Sequence, residues 1–407
     1  MESLRRAVRS NSSVSTISQA VSSARNVLFL VLSARALGVE DFGQVALVTA
    51  ATITLNEILR AAASHPLALL FNDAPTTDDL PLERAVSFQS ALAVAVGLGA
   101  ATPALLFGAG ALAIGAVAYI PVAVFDALRV GSINRGRPAR ALAFDAAWAV
   151  LLVPILAVAL SSSASARTAL LVWGATAAIV TVIGLLSIDL RPTPSAAVPY
   201  WHEVRSVARS LVLQVGLESI PTKMAALLIA AVAGATVAGS IRGAEVLLGG
   251  ASMVYSGVAA ASLRDGRRAH ADHGVGHVVR LLAKRFGFVL AVLAANLGVA
   301  LVLPDPVGRA ILGDSWAGAK SIAPENAFLL AGLISFAAIS VAIRSSLQMR
   351  ALVRIDLVGA VGVLAVVPAV AELVGAEAAL AANGVIVWMM VGLGAIQINR
   401  RLRDTHG

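Results

Sequence analysis

The chain has 407 residues, 58% of them hydrophobic and 13% charged, with a formal net charge of +8. A mean hydropathy of +0.85 excludes a soluble fold of this length, and the absence of cysteine excludes disulfides and thiolate chemistry. The positive balance does not point to nucleic acid, because in so apolar a chain basic residues gather on the cytoplasmic side of a membrane.

Apolar runs of about 20 residues, enough for an α-helix to cross about 30 Å of hydrocarbon, follow one another along the sequence. Helices are expected over 17–37, 43–64, 84–107, 109–129, 140–160 and 168–189, then over 206–233, 236–262, 281–303, 322–347, 353–374 and 376–398. Turn residues mark the joins: Gly38 to Gly43, Gly108 with Gly110, Pro138, Pro192 with Pro194, Pro304 with Pro306, and Gly375. Arg5, Arg6 and Arg9 lead into the polar stretch Ser10 to Gln19 rather than into an apolar core. No cleaved signal is therefore expected, and the N-terminus should stay inside.

The basic residues test this map. With twelve spans and both ends cytoplasmic, 23 of the 31 Lys and Arg fall on inner linkers or ends, four on outer linkers, and four inside helices. Adding or losing one helix would place basic linkers outside, so the positive-inside asymmetry supports this topology. Arg in excess of Lys, with abundant Ala, reads as bacterial coding bias. A bacterial inner membrane is the expected location.

The two halves repeat in pattern. Gly38 with Gly43 and Gly234 with Gly239 each form a Gly–x4–Gly turn between the first two helices of a half. Arg129, Arg135, Arg140 and Pro154 parallel Arg344, Arg350, Arg354 and Pro368. Six spans per half make the repeats parallel. The expected fold is an all-α polytopic membrane protein of 12 transmembrane helices, in two pseudo-symmetric six-helix lobes, 1–195 and 196–407, around a central cavity.

The stretch Leu32-Ser33-Ala34-Arg35-Ala36-Leu37-Gly38-Val39-Glu40-Asp41-Phe42-Gly43-Gln44-Val45-Ala46 resembles the first-hairpin signature of polysaccharide (Wzx-type) flippases. Those belong to the multidrug/oligosaccharidyl-lipid/polysaccharide exporter superfamily. Looser matches are Ile311 to Ala319, Arg350 to Arg354 and Val374 to Ala381. The resemblance implies a two-lobed transporter, not an enzyme. It would flip a polyprenyl-pyrophosphate-linked oligosaccharide from the inner to the outer leaflet for surface polysaccharide assembly. Its partners would be that glycan, the bilayer and polysaccharide-assembly proteins, with no nucleic acid and no cofactor. One departure is that family members often carry further helices or longer linkers. The alternative is a multidrug or metabolite exporter of the same architecture, which would expect an anionic cavity.

Charges inside spans are costly, roughly 2.5–3.5 kcal/mol each at mid-bilayer, and so mark candidate sites. Arg25 on the first helix and Lys223 on the seventh fall at nearly equivalent positions of the halves, and two cations aimed at one point suit a pyrophosphate. The bland reading has Arg25 snorkelling to the inner surface and Lys223 paired with Glu218. Pro221 should bend the seventh helix. Glu57 with Arg60, and Arg242 with Glu245, each lie three apart on one helix face; mutual neutralisation is the simpler account, with Arg60 and Arg242 as further candidates for binding substrate along the path. Asn56 is a candidate partner for sugar hydroxyls. Glu218, then Glu57 and Glu245, are candidate coupling acids. Asp126 and Asp145 read as structural clamps, with Arg129 the local partner of Asp126. His270, His273 and His277 read as a solvated linker, because Gly274 and Gly276 interrupt any helix that would align them as metal ligands. No metal site is expected.

Overall fold

The computed structural model describes residues 2–71, 79–345 and 349–404, and the side chain of His273 lies outside what is described. In chain order the helices are α1 (Glu2–Ala36), α2 (Val39–Leu59), α3 (His65–Leu70), α4 (Leu80–Leu106), α5 (Gly110–Asn134), α6 (Pro138–Ser162), α7 (Ala166–Ser187), α8 (Pro194–Ser219), α9 (Ala225–Ala233), α10 (Ala235–Leu247), α11 (Gly249–Val302), α12 (Asp305–Leu312), α13 (Trp316–Ser345), α14 (Met349–Leu373) and α15 (Ala376–Asp404). No strand occurs among the described residues. Eleven helical segments there are long and apolar enough to cross a membrane, which makes this an all-α polytopic membrane protein.

The remaining expected span, 236–262, is divided between α10 and the start of α11, with a turn at Leu248. α11 is itself broken at Gly274, whose φ of 73° and ψ of −177° no helix accommodates, as the glycine pair suggested. The seventh span begins earlier than expected, at Pro194, because α8 opens with an amphipathic stretch. Its buried residues Ala197, Tyr200, Val204 and Ala208 recur at helical spacing, while the polar residues between them face outward. The linker after α11 also folds, into α12, where Trp316 Nε1 and Lys320 Nζ donate to Asp305 at 3.0 and 3.1 Å.

The chain forms two compact units. The first comprises residues 1–37 and 44–216, the second residues 38–43 and 217–407. Residues 196–216, assigned to the second lobe from sequence, pack instead with the first unit. Tyr200 donates its hydroxyl to Ala63 O at 2.6 Å, and Val204 and Ala208 share a core with Leu67, Leu82 and Leu128. In the second unit, Ile229, Ile322, Phe336, Val363, Leu380 and Val387 form one core. There the two Gly–x4–Gly turns meet: a Cβ on Gly43 would lie 1.8 Å from Ala235 O, so only glycine permits this backbone approach.

Candidate functional site

Two local distortions set where the in-span charges lie. Between α2 and α3, residues Arg60–Ser64 form a π-helical turn, and between α8 and α9, Ile220–Met224 form another. The N–H of His65 bonds Arg60 O, and that of Ala225 bonds Ile220 O, each five residues back. A proline accompanies each, Pro66 and Pro221. Proline has no N–H to donate and its ring crowds the preceding turn, so the ladder must rearrange. Polar side chains take up the displaced carbonyls. Asn134 donates to Ser64 O at 2.7 Å, Tyr200 to Ala63 O, and Asn383 to Pro221 O at 3.3 Å. Each π turn carries one candidate cation, Arg60 in the first and Lys223 in the second.

In the first unit the charges close on one another. Asp145 is fully buried on α6 and accepts from Ser18 Oγ at 2.7 Å, Arg25 Nη1 at 3.3 Å and Arg129 Nε at 2.6 Å. Arg25 is 5% exposed; its other donors reach Ser22 and Asn26. Its guanidinium lies 3.7 Å from the ring centroid of Trp148, within an aromatic group that includes Phe125 and Trp173. A desolvated cation over an indole face gains about 2 kcal/mol. Arg129 Nη2 also donates to Gln19 at 2.8 Å. A second pair is bidentate: Arg60 donates from Nε and Nη2 to the two oxygens of Asp126, both at 2.6 Å. Fork-to-carboxylate contacts of this kind are the strongest available to arginine.

The pairings expected from sequence spacing are therefore corrected. Arg60 grips Asp126 across helices, with Glu57 also acting on it through space, and Arg129 serves Asp145 rather than Asp126. A carboxylate on a neighbouring helix can meet both donors of the guanidinium fork, as Asp126 does here. Arg25 does not snorkel: its Nε, Nη1 and Nη2 all donate inside the first unit. Asn56 is 7% exposed, and its Oδ1 has no hydrogen-bond partner among the described residues.

The second unit is more open. Arg242 and Glu245 do pair across three residues. Glu218 pairs with Arg344 on α13 at 2.8 Å, with the carboxylate 40% exposed. Lys223 is half-buried on its π turn. α14 and α15 both pack against that turn and α9. On α14, Asp356 is 1% exposed and neither carboxylate oxygen has a hydrogen-bond partner among the described residues. Glu218 and Arg344 act on it through space. On α15, Asn383 is equally buried; its amide nitrogen serves Pro221 O while its Oδ1 is unpartnered. The two buried oxygens of Asp356, without a donor among the described residues, are acceptors that a proton or a small cation would satisfy.

Sequence reasoning passed over Asp356 and Asn383. Asp356 stands beside Arg354 at the start of a span and reads as part of a basic linker. Pro221 was the available signal, since a freed carbonyl calls for a donor on a neighbouring helix. No group of three or more His, Asp or Glu arranged for a metal occurs among the described residues.

No family model and no curated protein matches the chain. Solved structures do. An inward-facing multidrug resistance MATE family transporter of the MOP superfamily superposes with a TM-score of 0.69 at 12% identity, covering 96% of this chain and 98% of that one. The MATE multidrug transporter DinF-BH, in complex with R6G, gives 0.65 at 12% identity, covering 98% and 96%. A MOP superfamily transporter from Pyrococcus furiosus, described as having a binding pocket of reversed polarity that suggests a different function, gives 0.57 at 11% identity, covering 98% and 96%. At such identities the likeness shows a shared fold.

Proposed function

We propose that this protein is an exporter built like the multidrug MATE transporters, moving an amphipathic organic solute outward and coupling that step to a proton or monovalent cation at Asp356. The observation that carries the reading is the state of the in-span charges. Arg25, Arg60 and Arg242 each hold a carboxylate, so a pyrophosphate would have to displace acids already in place. Asp356, in contrast, is a buried acid with no donor among the described residues. An ionised carboxylate in apolar surroundings is costly; a proton or cation on it removes the cost. Conformations that bury Asp356 then require the bound cation, and conformations that hydrate it release the cation. A membrane potential supplies about 2.3 kcal/mol per charge per 100 mV to such a cycle.

The first-hairpin signature favours a second reading, flipping of a polyprenyl-pyrophosphate-linked oligosaccharide, with Lys223 as the phosphate-facing cation. Reconstitution separates the two. Proteoliposomes with an imposed proton or sodium gradient should accumulate a cationic amphipathic dye, and Asp356→Asn should abolish that uptake. Transfer of a lipid-linked oligosaccharide between leaflets without dye movement, lost in Lys223→Ala, would replace the exporter reading with the second.

A further inference from the structure

The first unit carries a basic patch that neither transport reading uses. On α8, opposite the buried stripe Ala197, Tyr200, Val204 and Ala208, the residues Val198, His202, Arg205, Arg209 and Leu213 are all exposed. Their spacing of four, three, four and four places them on one helix face. No carboxylate among the described residues lies within ion-pair range of Arg205 or Arg209, and the adjacent Glu203 is engaged by Arg84 at 3.0 Å. Like charges four apart on a helix repel, and an anion between them reverses the sign of that interaction.

The surroundings indicate which anion. Trp201 borders the stripe, stacked on Phe88 at 5.5 Å and 6.0 Å from the Arg209 guanidinium carbon. Phe88 lies 5.9 Å from Tyr200, and Tyr200 6.2 Å from Phe71. Trp201 is half-buried near the start of an apolar span, and tryptophan is enriched at lipid headgroup level. Leu213, 62% exposed, continues the stripe into the span beyond Arg209. The patch thus offers cationic forks just beyond a tryptophan near the start of an apolar span, with an apolar surface continuing past them.

We propose that this face of α8 binds an anionic phospholipid, with Arg205 and Arg209 on the headgroup phosphate, His202 at its outer edge, and the acyl chain along Leu213. The intact protein in nanodiscs of phosphatidylcholine with phosphatidylglycerol should retain phosphatidylglycerol preferentially on native mass spectrometry. Each arginine near a charged surface is expected to contribute about fivefold, so Arg205→Gln with Arg209→Gln should lower the preference about 25-fold. Arg205→Gln alone should lower it about fivefold, which keeps the test available where the double variant does not insert. Arg191→Gln, at an 82% exposed side chain beside Asp189, should leave the preference unchanged. An unaltered preference in the Arg205 variants would overturn the proposal. So would an equal loss in Arg191→Gln, which would make net charge the cause, or displacement of the lipid by inorganic phosphate, which would make the patch a site for soluble anions.

Discussion

Asp145 in the first unit and Asp356 in the second are buried to the same degree, 0% and 1% exposed, yet their surroundings are opposites. Asp145 accepts from two arginines and a serine, and one of those arginines is stacked on an indole. Asp356 accepts from nothing among the described residues. A charge cluster that is fully paired holds helices in one arrangement, because any rearrangement strands a charge. An acid left without a donor favours a change of state whenever a cation is available. The first unit thus reads as anchored scaffold around α1, α5 and α6, and the second as the place where a cation could alter what is stable.

Four substitutions would break or sharpen this contrast. Asp145→Asn should be the most damaging: it leaves Arg25 and Arg129 buried without a counter-charge and should cost about 3–5 kcal/mol in denaturant unfolding of the detergent-solubilised protein. Trp148→Phe weakens the stacking on Arg25 and removes the 3.0 Å hydrogen bond to Thr176; about 1–2 kcal/mol should be lost in the same measurement. Asp356→Asn should change stability by no more than about 1 kcal/mol while eliminating gradient-driven uptake, a separation of stability from activity that Asp145 cannot show. A loss of stability comparable with that of Asp145→Asn would mean that Asp356 is an anchor too. Glu218→Gln should have the smallest effect on stability, a few tenths of a kcal/mol, since its pair with Arg344 is part-exposed and screened; a larger loss would place Glu218 with the closed cluster.

The candidate residues divide according to how local their determinants are. The Arg242–Glu245 pair was legible because both partners lie on one helix at a contact spacing. The Arg60–Asp126 and Arg129–Asp145 pairs were not: the acids were identified as clamps, but their partners come from other helices, and spacing along the chain carries no information on which helices adjoin. The bend at Pro221 was readable from proline chemistry alone, whereas the π turn at Arg60–Ser64 followed the same logic at Pro66 and was missed because Pro66 sits at the end of an apolar run, where a proline reads as a terminator.

The amino-acid sequence by itself determined that this chain spans a membrane many times as helices. Hydrocarbon leaves the backbone no other partner, and about 20 apolar residues suffice to cross it. It also determined where glycine and proline interrupt those helices, since both act through their own backbone chemistry. Only the tertiary structure decided which buried charges are matched, that the start of α8 belongs to the first unit, and that Asp356 and Asn383 present acceptors with no donor among the described residues. Those outcomes depend on which helix faces meet, and a charge inside a membrane is stabilised or stranded by its neighbours in space.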